Sequence, residues 1–307
     1  MTENQQNKSQ ETALQALRQD IDKIDDQILS LLKKRMQVIA KVGELKKNNQ
    51  EKFFIRSNRE ADMIKNLVAK ADSTFPKSAI ISIWRKIITA ANMHEQQLRI
   101  AIHNPKNISD YEYLVKEYYS DAVPILNLDS STNVVAEIEK GEVQIGIFAL
   151  PKDAEDSHRK EDSSENWWIG LANNRLGLKV FARIPMVQKM VQNISEFSAY
   201  EKNFDAIHLV AVAIKKAEKS SSDNSLIYVE LSSEFSKSQL LSAFKEQGIS
   251  AKILKSVKMQ QVDGIVFYLL ECEGFFEEED EAVKALKKTK IKPYVKVLGH
   301  YATAVIL

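Results

Sequence analysis

Six charged residues near the N-terminus of this 307-residue chain have the types and spacing to hold a small anion. They are four cations and two carboxylates, namely Arg18, Arg35, Lys46, Arg59, Glu60 and Glu95. Arg35 and Lys46 are about three helical turns apart and would share one helix face, whereas Arg18 lies off that face. The sequence shows no nucleophile–base pair, metal-ligand cluster or phosphate loop beside them. Cations and carboxylates without a nucleophile suit the binding and electrostatic stabilisation of a small dianion.

Each of these charges, taken alone, is also compatible with a solvated helix surface. Arg35 and Lys46 differ because they flank positions where the helical period would otherwise bury carbon. A buried cation requires a partner, since removing a charge from water is costly. The combination therefore favours an anion site.

One long helix is predicted to carry three of the cations. The segment from Leu14 to Lys47 has no proline and a single glycine, Gly43, and its apolar residues recur at spacings of three and four. Such a helix would be roughly 50 Å long, which exceeds the width of a small domain. Two short helices following it cannot cover its apolar stripe, so we expect a partner chain.

Two shorter helices are predicted next. Ser57 with Glu60 three positions later is the pattern of a capping box and predicts the start of the second helix. Pro76 suits the first turn of a third helix that extends to about Gln97. We therefore expect a disordered tail at residues 1–10 and an all-α domain over residues 11–97.

The remaining sequence predicts two further domains. Over residues 98–215, strands alternate with helices, which indicates an α/β domain with a mostly parallel sheet. The charged stretch from Pro151 to Glu165 is expected to be an exposed loop. After a polar linker, residues 222–307 follow the order β–α–β–β–α–β, the ferredoxin-like arrangement.

Composition restricts the classes of partner. The net charge of +1 argues against nucleic acid or an anionic membrane as the main partner. The single cysteine, Cys272, lies in an apolar run and is expected to be a buried small hydrophobe in a reducing compartment. The sequence has no apolar run of transmembrane length and no apparent signal peptide, so we expect a cytoplasmic protein.

Residues 11–97 resemble the all-helical type of chorismate mutase, an intertwined dimer of three-helix chains. The resemblance rests on ALRQDIDKIDDQILSLLKKR, VGELK, NREAD and IITAANMHEQQ, in that order. It implies a cofactor-free and metal-free Claisen rearrangement of chorismate to prephenate. The protein would be a homodimer with shared active sites.

The resemblance also implies a role for each charged residue. Arg35, together with Arg18 of the partner subunit, would hold the two substrate carboxylates. Lys46 would donate to the ether oxygen, whose negative charge grows as its bond breaks, and Glu95 would face the same oxygen. Catalysis would then consist of confining a chair-like conformer and stabilising developing charge.

Two residues of the second helix complete the implied site. Arg59 would help to hold a carboxylate, and Glu60 would bind the ring hydroxyl. The implied catalytic residues are thus Lys46, Glu95 and Arg35, and the other cations and Glu60 bind the substrate.

Residues 98–307 resemble, more weakly, the prephenate dehydratase and ACT regulatory domains that follow the mutase in bifunctional relatives. The dehydratase family's threonine–arginine–phenylalanine motif appears nowhere in the sequence. Its glycine-rich opening is replaced by His103–Asn104–Pro105, and an expected asparagine–serine pair by Lys152–Asp153. The effector motif of the ACT domain is altered to Ser238–Gln239–Leu240 and Lys255–Ser256–Val257–Lys258. We therefore expect a degenerate, noncatalytic α/β domain and an ACT-like domain without an assigned effector.

Three functional hypotheses follow from the sequence. The first is an active chorismate mutase of aromatic amino acid biosynthesis with noncatalytic C-terminal regions. The second is a bifunctional mutase and dehydratase that uses unfamiliar residues. The third is a ligand-sensing or scaffold protein with a vestigial mutase pocket.

Overall fold

The computed structural model of the chain describes residues 3–48, 53, 55–151, 166–188, 207–216, 218–259 and 262–306. The expected loop from Pro151 to Glu165, with its Lys152–Asp153 pair, lies outside the described residues apart from Pro151. The chain divides into two compact units, Met1–Phe54 with His94–Gln96, and Ile55–Met93 with Gln97–Leu307. None of the helices in the described ranges combines the length and hydropathy needed to cross a bilayer.

The first unit is dominated by one helix, α1 (Glu3–Asn48). The prediction of a long helix is confirmed, and α1 begins at Glu3, inside the segment for which we expected a disordered tail. Its apolar stripe is open to solvent in the isolated chain, with Leu17 60% and Leu31 64% exposed. An apolar face of this length is typical of a helix that packs against a partner.

The second unit contains the next two helices and every strand found in the described ranges. Helix α2 spans Ser57–Lys70, and α3 spans Lys77–Glu95, although the last residues of α3 belong to the first unit. Helix α2 contacts strands β4 (Leu178–Ile184) and β10 (Tyr294–Ala302) of the sheet. The two units therefore divide residues 11–97 between them, and the expected domain boundaries remain predictions.

The α/β region follows the predicted alternation for most of its length. Its elements are β1 (Ile100–His103), α4 (Ser109–Tyr119), β2 (Ile125–Leu128), α5 (Ser131–Lys140), β3 (Ile145–Ala149), α6 (Trp167–Ala172), β4, β5 (Val187–Gln188) and β6 (Leu209–Ile214). Strands β2, β1 and β3 are parallel neighbours, as expected. Strand β6 pairs antiparallel with both β3 and β4, which makes this part of the sheet mixed.

The C-terminal region has the predicted β–α–β–β–α–β order. It comprises β7 (Asp223–Ser232), α7 (Lys237–Glu246), β8 (Ala251–Val257), β9 (Ile265–Glu273), α8 (Glu281–Leu286) and β10, followed by the short β11 (Val305–Ile306). The strands lie in the order β10-β7-β9-β8, and each neighbouring pair is antiparallel. The ferredoxin-like topology is confirmed, and the assignment of this region as ACT-like remains a prediction.

Strands from the α/β and ferredoxin-like regions form one nine-stranded sheet, in the order β2-β1-β3-β6-β4-β10-β7-β9-β8. The junction lies between β4 and β10, where Gly299 pairs with Val180. Gly299 has a φ of +145°, and a Cβ built on it would lie 2.1 Å from the carbonyl oxygen of Val180. Only glycine fits there, because a side chain would collide with backbone and would also strain φ. The two regions also share one core, to which Trp168, Tyr228 and Phe267 contribute.

We expect Gly299→Ala to lower the free energy of unfolding by about 3 kcal/mol or more, because the new Cβ must push β4 and β10 apart. Chemical denaturation of the purified chain would measure the change. Gly170→Ala is the matched control, since a Cβ at Gly170 of α6 meets nothing within 4 Å. Equal stability of the two variants would contradict this account of the junction.

Candidate active site

Three of the predicted cations lie on α1, as the sequence indicated. Arg18, in the first half of the helix, is exposed, and Arg35, in the second half, is partly buried. Lys46 lies in the last turn, close to the end of the helix at Asn48. One helix thus supplies the two guanidinium groups and the ammonium group that the anion-binding hypothesis requires.

Glu95, the last residue of α3, packs against α1 at Gly43. A Cβ built on Gly43 would lie 3.5 Å from Glu95 Cγ and 3.6 Å from Oε1. A methyl group at Gly43 would therefore fit beside the Glu95 side chain, whereas a larger side chain would displace it. Lys46 follows Gly43 by three residues, and positions with this spacing share a helix face. The structure thus brings Glu95 to the part of α1 that carries Lys46.

Arg59 and Glu60 lie in the first turn of α2 and belong to the second unit. Arg59 is exposed and Glu60 is buried. The six predicted residues are consequently divided between the units, with Arg59 and Glu60 in the second and the others in the first.

The buried carboxylate of Glu60 is held at both oxygens by side chains of α3. Oε2 accepts a hydrogen bond from Arg85 Nη1 at 3.0 Å, and Oε1 accepts one from Asn92 Nδ2 at 3.1 Å. Arg85 is only 3% exposed, so this is a desolvated ion pair between two helices. Both partners reach Glu60 from one face of α3.

The predicted capping box at Ser57 and Glu60 is wrong. Arg56, which precedes the helix, occupies the N-cap position without a side-chain cap, and Ser57 is the first helical residue. Ser57 Oγ instead donates to the carbonyl of Phe181 on β4 at 2.6 Å. The local pattern is overridden because Glu60 is buried beside a cation, which stabilises a desolvated carboxylate more than a backbone N–H would.

Sequence reasoning missed Arg85 and Asn92. Ile81, Arg85, Ile88 and Asn92 follow one another at helical spacing, and all four are buried. The signal was a cation within the apolar stripe of α3, which is the argument that singled out Arg35. The same argument, applied to α3, predicts that Arg85 is buried and has an acidic partner.

Polar contacts also hold α2 on the C-terminal region. Asn58 Nδ2 donates to Asp223 Oδ1 at 3.2 Å, and Asp62 accepts from the backbone and hydroxyl of Ser221. One turn further along the helix, Lys65 Nζ donates to Thr303 Oγ1 at 3.2 Å. The helix that carries Arg59 and Glu60 is therefore fixed by residues at or just before the start of β7 and just after the end of β10.

Several residues at altered motif positions have structural roles. Asn104 closes the turn between β1 and α4, since its Oδ1 accepts from Ile108 N at 2.7 Å and its Nδ2 donates to Ile108 O at 3.0 Å. Gln239 forms a capping box with Ser236 at the start of α7. Cys272 is fully buried, which confirms it as a core residue, and Trp168 is fully buried as well.

Comparison with known proteins identifies the N-terminal segment. Residues 17–96 match the family model of chorismate mutase type II, and this range includes all six predicted site residues. The chain carries a chorismate mutase type II domain. The mutase domain draws α1 from the first unit, and α2 and most of α3 from the second.

Similar proteins combine this domain with a second activity. The bifunctional chorismate mutase/prephenate dehydratase of Aquifex aeolicus (strain VF5) is 24% identical over 141 residues, 45% of this chain and 38% of that protein. The enzyme of the same name from Stutzerimonas stutzeri is 25% identical over 153 residues, 48% of this chain and 41% of that protein. The matched region spans only about two-fifths of these relatives' length.

Among solved structures, the prephenate dehydratase of Arthrobacter aurescens in complex with L-Phe aligns with a TM-score of 0.46 at 14% identity. The alignment covers 67% of this chain and 90% of that one.

We expect substitutions at Gly43 to separate helix stability from the position of Glu95. Gly43→Ala places a methyl group at ordinary contact distance from Glu95 and should leave turnover of chorismate, the substrate of the matched family, unchanged, while stabilising α1 by about 1 kcal/mol. Gly43→Leu also favours a helix, but its larger side chain must displace Glu95 and should lower kcat/KM tenfold or more. Steady-state kinetics and thermal denaturation would measure both effects, and a fully active Gly43→Leu variant would contradict the close approach.

Proposed function

We propose that this chain catalyses the Claisen rearrangement of chorismate to prephenate in aromatic amino acid biosynthesis. The observation that carries the proposal is the match of residues 17–96 to the chorismate mutase type II family, with all six predicted site residues inside the matched range. The approach of Glu95 to Gly43 supports it, because the implied reaction needs Glu95 and Lys46 at the same ether oxygen.

The proposed mechanism relies on confinement and charge rather than on covalent chemistry. Arg35 and Arg18 of the partner subunit each neutralise one carboxylate and hold the substrate in a compact conformer. Lys46 donates to the ether oxygen and stabilises the negative charge that accumulates as its bond to carbon breaks, and Glu95 faces the same oxygen. These contacts strengthen in the transition state, which is the condition for raising kcat.

We further propose that the chain functions as a homodimer that pairs along α1. The exposed apolar stripe of α1, which includes Leu17, Ile21 and Leu31, supports pairing with a second helix that has a similar apolar stripe. The shared active sites implied by the resemblance would then place Arg18 of the partner subunit at each site. We also propose that the protein is cytoplasmic and that it does not bind nucleic acid.

A second candidate is a bifunctional mutase and dehydratase, because the relatives that match just under half of this chain carry both activities in their names. The sequence lacks the threonine–arginine–phenylalanine motif, and Asn104 and Gln239 bind neighbouring backbone instead of facing a ligand. We therefore favour noncatalytic C-terminal regions. A vestigial, ligand-sensing pocket is the third candidate.

One assay distinguishes the three candidates. Purified full-length protein incubated with chorismate is expected to consume it and to accumulate prephenate, as followed by chromatography of the quenched reaction. Phenylpyruvate formed without added acid would establish the bifunctional candidate. Unchanged chorismate at high protein concentration would contradict mutase activity and favour the sensor.

The shared site predicts complementation between inactive variants. Arg18→Ala and Lys46→Ala should each lower kcat/KM about a hundredfold or more, because each loses a charged contact to the substrate. A refolded equal mixture should regain about a quarter of wild-type activity, since half the dimers are mixed and each restores one of two sites. Arg35→Ala mixed with Lys46→Ala is the control and should regain nothing, because both residues come from the same subunit at each site. Recovery in the control, or none in the test mixture, would refute the sharing of Arg18.

A further inference from the structure

Arg85 is a buried cation for which the proposed mechanism has no role. Its Nη1 pairs with Glu60, and its Nε donates to the carbonyl oxygen of Tyr118 on α4 at 3.0 Å. The guanidinium carbon lies 3.7 Å from the centroid of the Tyr118 ring, a cation–π distance. Arg85 therefore contacts α2 at one end of its guanidinium group and α4 of the α/β region at the other.

Glu60 is fixed in orientation by this arrangement. Arg85 binds Oε2 and Asn92 binds Oε1, so the carboxylate plane cannot rotate without losing a hydrogen bond. Each carboxylate oxygen has a second lone-pair site and can accept one more hydrogen bond. Glu60 thus retains the capacity to accept from a hydroxyl group while both of its present contacts remain.

Stability alone does not account for Arg85. A buried ion pair rarely stabilises more than apolar side chains of similar volume, because both charges must be desolvated. Arg85 Nη2 and Thr89 Oγ1, one turn further along α3, are also buried without a hydrogen-bond partner among the residues that the structure describes. Unsatisfied buried donors add to the cost of keeping a cation at this position.

We propose that Arg85, assisted by Asn92, is a positioning residue of the mutase that holds the Glu60 carboxylate in the orientation that accepts the ring hydroxyl of chorismate. Arg85 is in turn held by Tyr118, so the α/β region contributes to substrate recognition without touching substrate. This inference rests on the proposed mutase function and on the role that the family resemblance gives to Glu60.

The alternative is that Arg85 only ties the helices together, and kinetics distinguish the two roles. The ring hydroxyl does not react, so its contact with Glu60 acts equally on bound substrate and transition state. Loss of such uniform binding raises KM and leaves kcat unchanged. Loss of folded protein lowers the apparent kcat and leaves KM unchanged, because fewer molecules are active.

The test uses the full-length protein with chorismate as substrate. Arg85→Met keeps the aliphatic length but removes every donor, and we expect KM to rise about tenfold with kcat within twofold of wild type. Arg85→Lys should recover part of this loss, since its ammonium group can reach Glu60 but not Tyr118 as well. Lys86→Met is the matched control, because Lys86 lies beside Arg85 on α3 and donates instead to the Lys116 carbonyl of α4, at 3.4 Å. Its KM should not change.

A double-mutant cycle then tests whether Arg85 acts through Glu60. Glu60→Gln should raise KM, and adding Arg85→Met to it should raise KM no further. Multiplicative effects, or a lowered kcat with unchanged KM in Arg85→Met, would overturn the inference. If Arg85→Met does not fold, Asn92→Ala decides the question, because it frees Oε1 without breaking the ion pair and should also raise KM. An inactive wild type would overturn the proposed function itself, whereas an active wild type with a normal KM in Asn92→Ala and Arg85→Lys overturns only this inference.

Discussion

The burial of the Glu60 carboxylate against Arg85 is the interaction on which the arrangement of α2, α3 and α4 depends. A desolvated carboxylate must have a cation and further hydrogen bonds, and α3 supplies both from positions on a single face. Arg85 also donates from Nε to the backbone carbonyl of Tyr118 on α4. The spacing of three helices is therefore fixed by one charge pair and its neighbours.

The sheet continues this coupling toward the C-terminus. Helix α2 contacts β4 and β10, the two strands that meet at Gly299, and Ser57, Asn58, Asp62 and Lys65 all form hydrogen bonds beyond the helix. The α/β and ferredoxin-like regions were expected as separate domains, yet they share a sheet and a core. Residues of the mutase domain and of both later regions are thus parts of one packed unit.

The sequence predicted the features that local spacing determines. Helix α1 could be predicted because apolar residues that recur every three or four positions over many turns line up only on a helix. Placing Arg18, Arg35 and Lys46 on that helix then marked them as candidate site residues. The partners of Glu60 were missed because the capping-box pattern is local, whereas the competing cation lies on another helix. Strand β6 was missed because it is buried along nearly its whole length and does not alternate. The approach of Gly299 to Val180 joins positions far apart in sequence, and no local pattern encodes it.

The C-terminal regions have a physical role that is independent of catalysis. Helix α2 contacts the sheet, and its residues Ala61, Ile64 and Val68 are buried. Fully burying a side chain such as Ile64 contributes about 1.5–3 kcal/mol to the free energy of folding. Removing the sheet would expose this face and leave the polar groups of Asn58 and Asp62 without their partners. The packing of α2 therefore depends on the core of the α/β and ferredoxin-like regions, whatever chemistry those regions perform. The C-terminal regions are thus a scaffold for α2, the helix that carries Arg59 and Glu60.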